Sequence, residues 1–504
     1  INIYISMLVS VIFLFYSAAS WGAFICKISN IAKHLEESPL NLLIIFIAVG
    51  LGWLATITTI LGIIGIFYKL IVIIFMVVGM MAGRHNLWEG VRRWSGQLEI
   101  RNNAWFYMAA LLFAVILGSI AISSLAPALG NDPQKYHLPI AKWLVKEGGF
   151  NYHPYHIPWA YPHLISNLFA VGQLIFNDYY FRISQIIHAF LGILWLICVY
   201  AIGKELFNKE TGLCAAVLCL GIEPVIEEFG TALVDLGFAF FACAAVLTFL
   251  VAVKQEDERK RLVYTIISAI ISGFAAVCKV NGPSIALALA VSGSMVAYTR
   301  KGLKDASKYF LIIAFTAFIT ALPMYIKNYL IYGNPLYPFF GMFKNRDLCD
   351  NFVNIWVSVG TWDKYFGQFF KKYGGIAVFW PYLWIKRVFA WDLLTPGPAF
   401  IAGLLLIIIK WKTWSRKYGH VLLIIAVLIL SWFFISYLTR FAWVWLSLLT
   451  IFACAPLTEN RSRYSSIIPY ALIISFAPIL MFKLTIPLST LNNILNIAPD
   501  FEYV

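Results

Sequence analysis

The sequence predicts an all-α polytopic membrane protein of about fourteen transmembrane helices, with two large outer loops that carry short interfacial helices. Three observations lead there. Of 504 residues, 61% are hydrophobic and only 12% charged, against roughly 25% charged in a soluble domain; mean hydropathy is +0.80. Apolar runs close to the length needed to cross the hydrocarbon core recur along the chain. Lys and Arg collect in short stretches between those runs, the pattern of cytoplasmic loops.

Counted by that length, spans fall near 4–26, 41–62, 66–83, 104–125, 183–203, 211–228, 232–252, 263–279, 283–299, 309–326, 397–410, 420–438, 441–458 and 466–484. Threaded in order, they put "GRHNLWEGVRRW", "KQEDERKR", "RKGLKDASK", "KWKTWSRK" and "ENRSR" on one side, which the positive-inside rule makes the cytoplasm. The net charge of +14 is thereby a matter of topology, and nucleic acid is not an expected partner. The same threading sends 126–182 and 327–396 outside. Both are rich in Trp, Tyr, Phe, Pro and Gly, a mixture suited to headgroup depth. The eight cysteines fall mostly inside apolar runs, so no disulfide framework is expected. The chain opens on Ile1 without a basic n-region, and the first span is not expected to be a cleaved signal peptide.

Chemistry is expected in the outer loops. The stretch "GNDPQKYHLPIAKWLVKEGG" (130–149) follows an apolar run directly. Asp132 before Pro133 has the form of a helix cap followed by a first-turn proline, and it also has the form of a reactive carboxylate at a membrane mouth. Lys135, Lys142 and Lys146 share one helical face and Tyr136, Ile140, Trp143 and Leu144 another, while Pro139 should disturb a straight helix. A second acidic group, Asp235 with Glu227 and Glu228, falls near the outer end of another span, and a carboxylate at membrane depth is costly enough to mark a function. A carboxylate in a partly desolvated pocket can take a proton from an attacking hydroxyl. Nearby cations can hold a phosphate leaving group. Of Lys135, Lys142, Arg182, Lys279, Lys327 and Arg440, the strongest candidates are Lys279 and Arg440, which interrupt apolar runs near outer ends; snorkelling to headgroups is the alternative for each. Four of the eight histidines (His137, His153, His156, His163) lie in the first outer loop. "HPYH" leaves a divalent metal with Asp132 or Glu228 open, against packing in an aromatic turn. No P-loop, GxGxxG or GxSxG motif is present, so the substrate must bring its own activation. A membrane-soluble polyprenyl-phosphate sugar does.

These residues resemble the GT-C-type membrane glycosyltransferases, in the neighbourhood of bacterial protein mannosyltransferases and aminoarabinose transferases and of a large uncharacterised bacterial branch. "ND..KYHLPIAKWLVKEGGF" resembles the acidic motif of the first outer loop and "EEFGTALVDLGFAFF" the second acidic site. "CKVNGP", "IKNYLIYGNPLYPFF" and "YLTRFAWVWLSLL" resemble the later motifs, over roughly 104–458. The resemblance implies a GT-C fold: an N-terminal three-span extension (1–103), a seven-span module (104–326), an aromatic outer loop (327–396) and a variable C-terminal part (397–504). It implies an inverting transfer of a hexosyl or pentosyl group from a polyprenyl-phosphate donor to a glycan, lipid or protein acceptor. The reaction would take place on the outer face of a bacterial inner membrane, with no required cofactor. Asp132 matches the catalytic aspartate and Asp235 the second acid. Lys135, Tyr136, His137, Glu228, Lys279, Asn328, Tyr337 and Arg440 are the expected substrate- or phosphate-binding residues. Many relatives carry adjacent acids where this chain has Asn131 and Pro133 around Asp132, which weighs against a metal-dependent step more than against a general base. The rival readings are a lipid-linked saccharide flippase and a non-catalytic subunit that keeps the fold.

Overall fold

In the computed structural model, residues 2–29, 38–96, 132–153, 157–177, 181–220, 228–337, 398–435 and 439–459, with isolated positions 114, 118 and 225, are described. The expected spans 104–125 and 466–484, most of the second outer loop, Glu227 and His156 lie outside them. Every described element is helical. Helices α1 (Asn2–Ile28), α2 (Pro39–Ile63) and α3 (Lys69–Ser95) come first, then α4 (Leu138–Glu147) and α5 (Leu164–Phe176). They are followed by α6 (Arg182–Leu206), α7 (Lys209–Leu220), α8 (Asp235–Lys254), α9 (Glu258–Ala276), α10 (Pro283–Lys301) and α11 (Leu303–Tyr332). After the second loop come α12 (Pro398–Ile409), α13 (Trp411–Ile435) and α14 (Trp443–Glu459).

Seven of these are long and apolar enough to cross a membrane: Ile5–Ile28, Pro39–Ile63, Lys69–Ser95, Arg182–Leu206, Asp235–Lys254, Leu303–Tyr332 and Trp411–Trp432. The polytopic all-α class follows from them. Their burial sorts them: 94% of the most apolar window of α8 is covered, against 28% for α3 and for α11. Helix α8 is therefore the axis of the bundle, packed on α6 and α9. Helices α3 and α11 present Ile74, Met81, Leu311 and Phe315 outward, as lipid-facing helices do. Shorter helices α7, α9, α10, α12 and α14 stand at five further expected spans. One expectation is modified. The first outer loop does not only lie along the interface, because α5 buries Leu164–Gln173 continuously and packs against α2 and α6.

The two ends of the bundle differ. At one, Glu205 near the end of α6 accepts from Asn41 of α2 at 2.8 Å and pairs with Lys254 of α8, while Lys301 of α10 pairs with Glu258 of α9. At the other, the Phe67 N–H donates to the Gly148 carbonyl and the Phe150 N–H to that of Gly62, tying the first loop to the α2–α3 turn. The Leu164 N–H donates to the Val277 carbonyl, bringing the start of α5 to the end of α9. Basic loops thus collect at one end, and the first loop covers the other.

Backbone contact holds α1 to its neighbours. A Cβ added at Gly50 would overlap the Ala18 carbonyl, and one at Gly83 the Ser20 carbonyl, the small-residue approach that membrane helices use in place of a hydrophobic drive. Gly50→Leu should therefore part α1 from α2, at about 1–3 kcal/mol or more. A lowered melting midpoint of the detergent-solubilised protein is expected, with no change for lipid-facing Ile74→Leu.

Candidate active site

Asp132 opens a π-helical turn, Pro133–His137, that runs into α4. Pro139 has no N–H to give and sits in the first turn of α4, where a missing donor costs nothing. The Leu138 N–H reaches back to the Pro133 carbonyl instead, so the proline is absorbed by a change of register and no kink is needed. Asp132 makes no capping hydrogen bond. Its carboxylate pairs with Arg440 and accepts from the Tyr136 hydroxyl. Capping, the plainer reading of this residue, is thereby set aside by geometry.

Asp235 is the first residue of α8 and is 1% exposed. It pairs with Lys279, carried by the turn between α9 and α10. The position suits a negative charge, since the start of a helix carries a partial positive charge. The Lys279 Nζ also lies 3.3 Å from the centroid of the Phe441 ring, and the Arg440 guanidinium carbon lies 5.9 Å from the same ring. Two carboxylate–cation pairs thus flank one aromatic ring. Burial alone would lower the proton affinity of Arg440; the carboxylates of Asp235 and Asp132 more than offset it, and the guanidinium is held charged. Burial, followed by the charge of Asp132, pushes the Tyr136 phenol upward and keeps it protonated.

Behind this pair stands a second layer, in which the expected Glu228 is joined by His188, Trp443 and Asn281, residues that sequence reasoning did not find. The Glu228 carboxylate accepts from the Trp443 indole at 2.9 Å. His188 of α6 bonds to the Glu228 carbonyl through Nδ1 at 3.0 Å, and its Nε2 faces the Leu236 N–H at 3.3 Å. An N–H can only donate, so Nε2 accepts and the proton sits on Nδ1. His188 therefore fixes the backbone on both sides of Asp235. A histidine inside the apolar run "SQIIHAF" was the available signal. Asn281, two residues after Lys279, donates to the Phe441 carbonyl at 3.4 Å, and its buried Oδ1 has no partner among the described residues; nor has the Arg440 Nε.

Seven expected residues therefore share one neighbourhood: Asp132, Tyr136, His137, Glu228, Asp235, Lys279 and Arg440. The His137 ring is buried and feels the charges of Asp235, Asp132, Lys279 and Arg440; burial pushes it down to about 3, so it is neutral at physiological pH. Lys135 points to the exposed side of the turn. Asn328 and Tyr337 belong to a separate scaffold: Asn328 donates to the Ala160 carbonyl at 2.8 Å, and Tyr337 stacks on Tyr332 at 4.5 Å. Lys327 is likewise internal, donating to the Trp159 carbonyl and to His163 Nε2, both at 2.8 Å. His163 continues through Asn167 to Thr59, fastening the first loop between α11 and α2. Burial, and then the Lys327 charge, holds its imidazole well below the usual value. His153 stacks on Trp143 at 4.4 Å, as a packed turn requires. Among the described residues no three His, Cys, Asp or Glu side chains gather to hold an ion.

Residues 160–326 match the family model described as dolichyl-phosphate-mannose-protein mannosyltransferase, and residues 5–150 match a domain of unknown function. The first match carries Glu228, Asp235 and Lys279, the second Asp132. No curated protein sequence matches the chain. Among solved structures, an oligosaccharyltransferase of Archaeoglobus fulgidus in complex with Zn and sulfate is similar at 19% identity and a TM-score of 0.45, covering 74% of this chain and 52% of that one. The oligosaccharyltransferase AglB of the same organism, in complex with an inhibitory peptide and a dolichol-phosphate, is similar at 17% identity and a TM-score of 0.44, covering 75% and 54%. The chain spans about half the length of these structures. Through residues 160–326 it resembles GT-C-type membrane glycosyltransferases, as its motifs imply.

Two outcomes follow from the geometry. Lys279→Met leaves Asp235 buried without its partner and should cost about 3–5 kcal/mol, whereas the double variant Asp235→Asn/Lys279→Met should regain most of that stability; chemical denaturation in detergent reads the difference. His137 is protonated near 6.5 when unfolded but only near 3 when folded, so the unfolded chain binds the extra proton in between and stability falls as pH drops through that window. At pH 5 the penalty is on the order of 2 kcal/mol. The melting midpoint of His137→Asn should accordingly fall less between pH 7 and pH 5 than that of the unaltered protein.

Proposed function

We propose that the chain is an inverting membrane glycosyltransferase that uses a polyprenyl-phosphate-linked sugar at the end of the bundle opposite its basic loops. The observation that supports it is the joining of Asp132 and Asp235, more than a hundred residues apart, through Arg440, Lys279 and the Phe441 ring. A carboxylate able to take a proton once its cation is drawn away, beside cations able to hold a phosphate, is what transfer from a phosphate-activated sugar needs.

In this reading the acceptor hydroxyl attacks the anomeric carbon from the side opposite the phosphate. Its proton passes to Asp132, the carbon–oxygen bond to phosphate breaks, and polyprenyl phosphate leaves with the electron pair. Arg440 and Lys279 hold the phosphate as negative charge builds on it. Asp235 and Glu228 orient sugar hydroxyls, and the partnerless Asn281 Oδ1 and Arg440 Nε–H offer one acceptor and one donor. Arg440 is paired with Asp132 in the unliganded arrangement. Donor binding would draw the guanidinium to phosphate and release the base at the moment it is needed. By the positive-inside rule this end faces away from the cytoplasm.

Incubation of the purified protein with a panel of polyprenyl-phosphate sugars, reading released polyprenyl phosphate, tests the activity. Asp132→Asn should lower turnover by about 10²–10⁴-fold while donor binding changes little. Full turnover in that variant would remove Asp132 as the base. Sugar carried into vesicles with no polyprenyl phosphate released would favour a transporter instead.

A further inference from the structure

At the basic end, far from the acids, an open cleft lies between the last turns of α8 and α10 and the first turns of α9 and α11. Its lining includes the apolar Phe249, Val253 and Val296, the cations Arg261, Arg300 and Lys301, and the acids Glu258 and Asp305. Both guanidiniums converge on one carbonyl: Arg261 donates to Gln255 through Nε and Nη2 at 3.0 and 2.8 Å, and Arg300 through Nη1 at 3.4 Å. Their other described partners are the Glu256 and Val253 carbonyls. Backbone oxygens satisfy these N–H groups without carrying a formal charge. Glu258 and Glu256 also act on Arg261 and Arg300, and the lining keeps an excess of one positive charge, Arg261, Arg300 and Lys301 against Glu258 and Asp305. Glu258 is held by Lys301 and lies 3.8 Å from Lys308, and the charge of Asp305 falls on Lys301.

We infer that this cleft binds an anionic phosphate-headed lipid, its phosphate between Arg261 and Arg300 and its chain against Phe249, Val253 and Val296. Two guanidiniums bonded to one carbonyl, in a lining of net positive charge, suit the oxygens of one phosphate, with both groups already oriented by their carbonyl bonds. Part of the lining is apolar, which a free phosphate does not need and a lipid chain does. Depth agrees: Tyr298 is 60% and Leu303 72% exposed on either side of Arg300 and Lys301, and an outward Tyr beside basic residues marks the headgroup level. The site is separate from the acidic cluster and holds whether or not the proposed transfer is correct.

The test is native mass spectrometry of the full chain in detergent, with phosphatidylglycerol, phosphatidylcholine or inorganic phosphate added. The protein should retain phosphatidylglycerol at least fivefold over phosphatidylcholine, and Arg261→Gln/Arg300→Gln should lose that preference. Equal retention of the two lipids, or the same preference in the double variant, overturns the inference. So does inorganic phosphate displacing the lipid at equal concentration, which would make the ligand a soluble anion. If the double variant does not purify folded, Val296→Trp keeps both arginines and fills the apolar part of the cleft: loss of phosphatidylglycerol supports the site, and unchanged retention refutes it.

Discussion

A carboxylate drawn into the end of a helix bundle has to be matched in charge, and this matching organises the structure around Asp235. Moving a charged group out of water costs several kcal/mol even after relaxation, and a single opposite charge repays it only in good geometry. Asp235 has Lys279 as its direct partner and the field of Arg440 beyond it. Those cations come from the α9–α10 turn and from the short helical turn before α14. Helices far apart in sequence must therefore end at the same level, and His188 and Trp443 hold the backbone and the Glu228 carboxylate that complete that level. The long apolar helices supply the mass of the bundle; the ion pairs specify how their ends register.

The same economy of charge bears on chemistry. The proposed base, Asp132, is paired with a guanidinium and would have to give up that partner to take a proton. In the proposed transfer that restraint would guard against passing sugar to water. The guanidinium paired with Asp132 is also well shaped to receive a phosphate, and it carries an Nε–H with no described partner. In the proposed reaction phosphate and base would compete for one cation, so that arrival of the donor and activation of the base would be a single event. Lys279 is less free to exchange, being buried over the Phe441 ring as well as paired, and is better suited to a standing charge than to a moving one.

Composition and periodicity made the fold class legible, because hydrocarbon admits so few backbone solutions. The candidate site was legible in part, for a related reason: Asp132, Asp235, Lys279 and Arg440 interrupt or border apolar runs, where charge is too costly to be incidental. What the sequence did not reveal was partnership. Nothing in the spacing distinguishes Lys279, which meets Asp235, from Lys327, which is spent on the Trp159 carbonyl and His163. Asn328 and Tyr337 likewise read as site residues by motif, yet they fasten the first loop and the end of α11. A lone histidine in an apolar helix, such as His188, is commonly a satisfied packing group; only its two backbone bonds on either side of Asp235 give it a place in the site.

The axial position of α8 explains why the acids stand at an end and not at mid-membrane. Its length is covered by α6, α9 and neighbouring helices. A carboxylate placed halfway would need its partner cation delivered to the same depth, at a second desolvation cost. At the first turn of α8, the helix start itself favours the negative charge, and cations can be supplied by turns that remain near water. The bundle thus admits charge only where turns can reach it: acids matched by Lys279 and Arg440 at one end, and at the other the Glu205–Lys254 and Glu258–Lys301 pairs with an excess of arginine. The acids sit where the first loop is tied to the α2–α3 turn and to the end of α9, and the arginines sit at the opposite end.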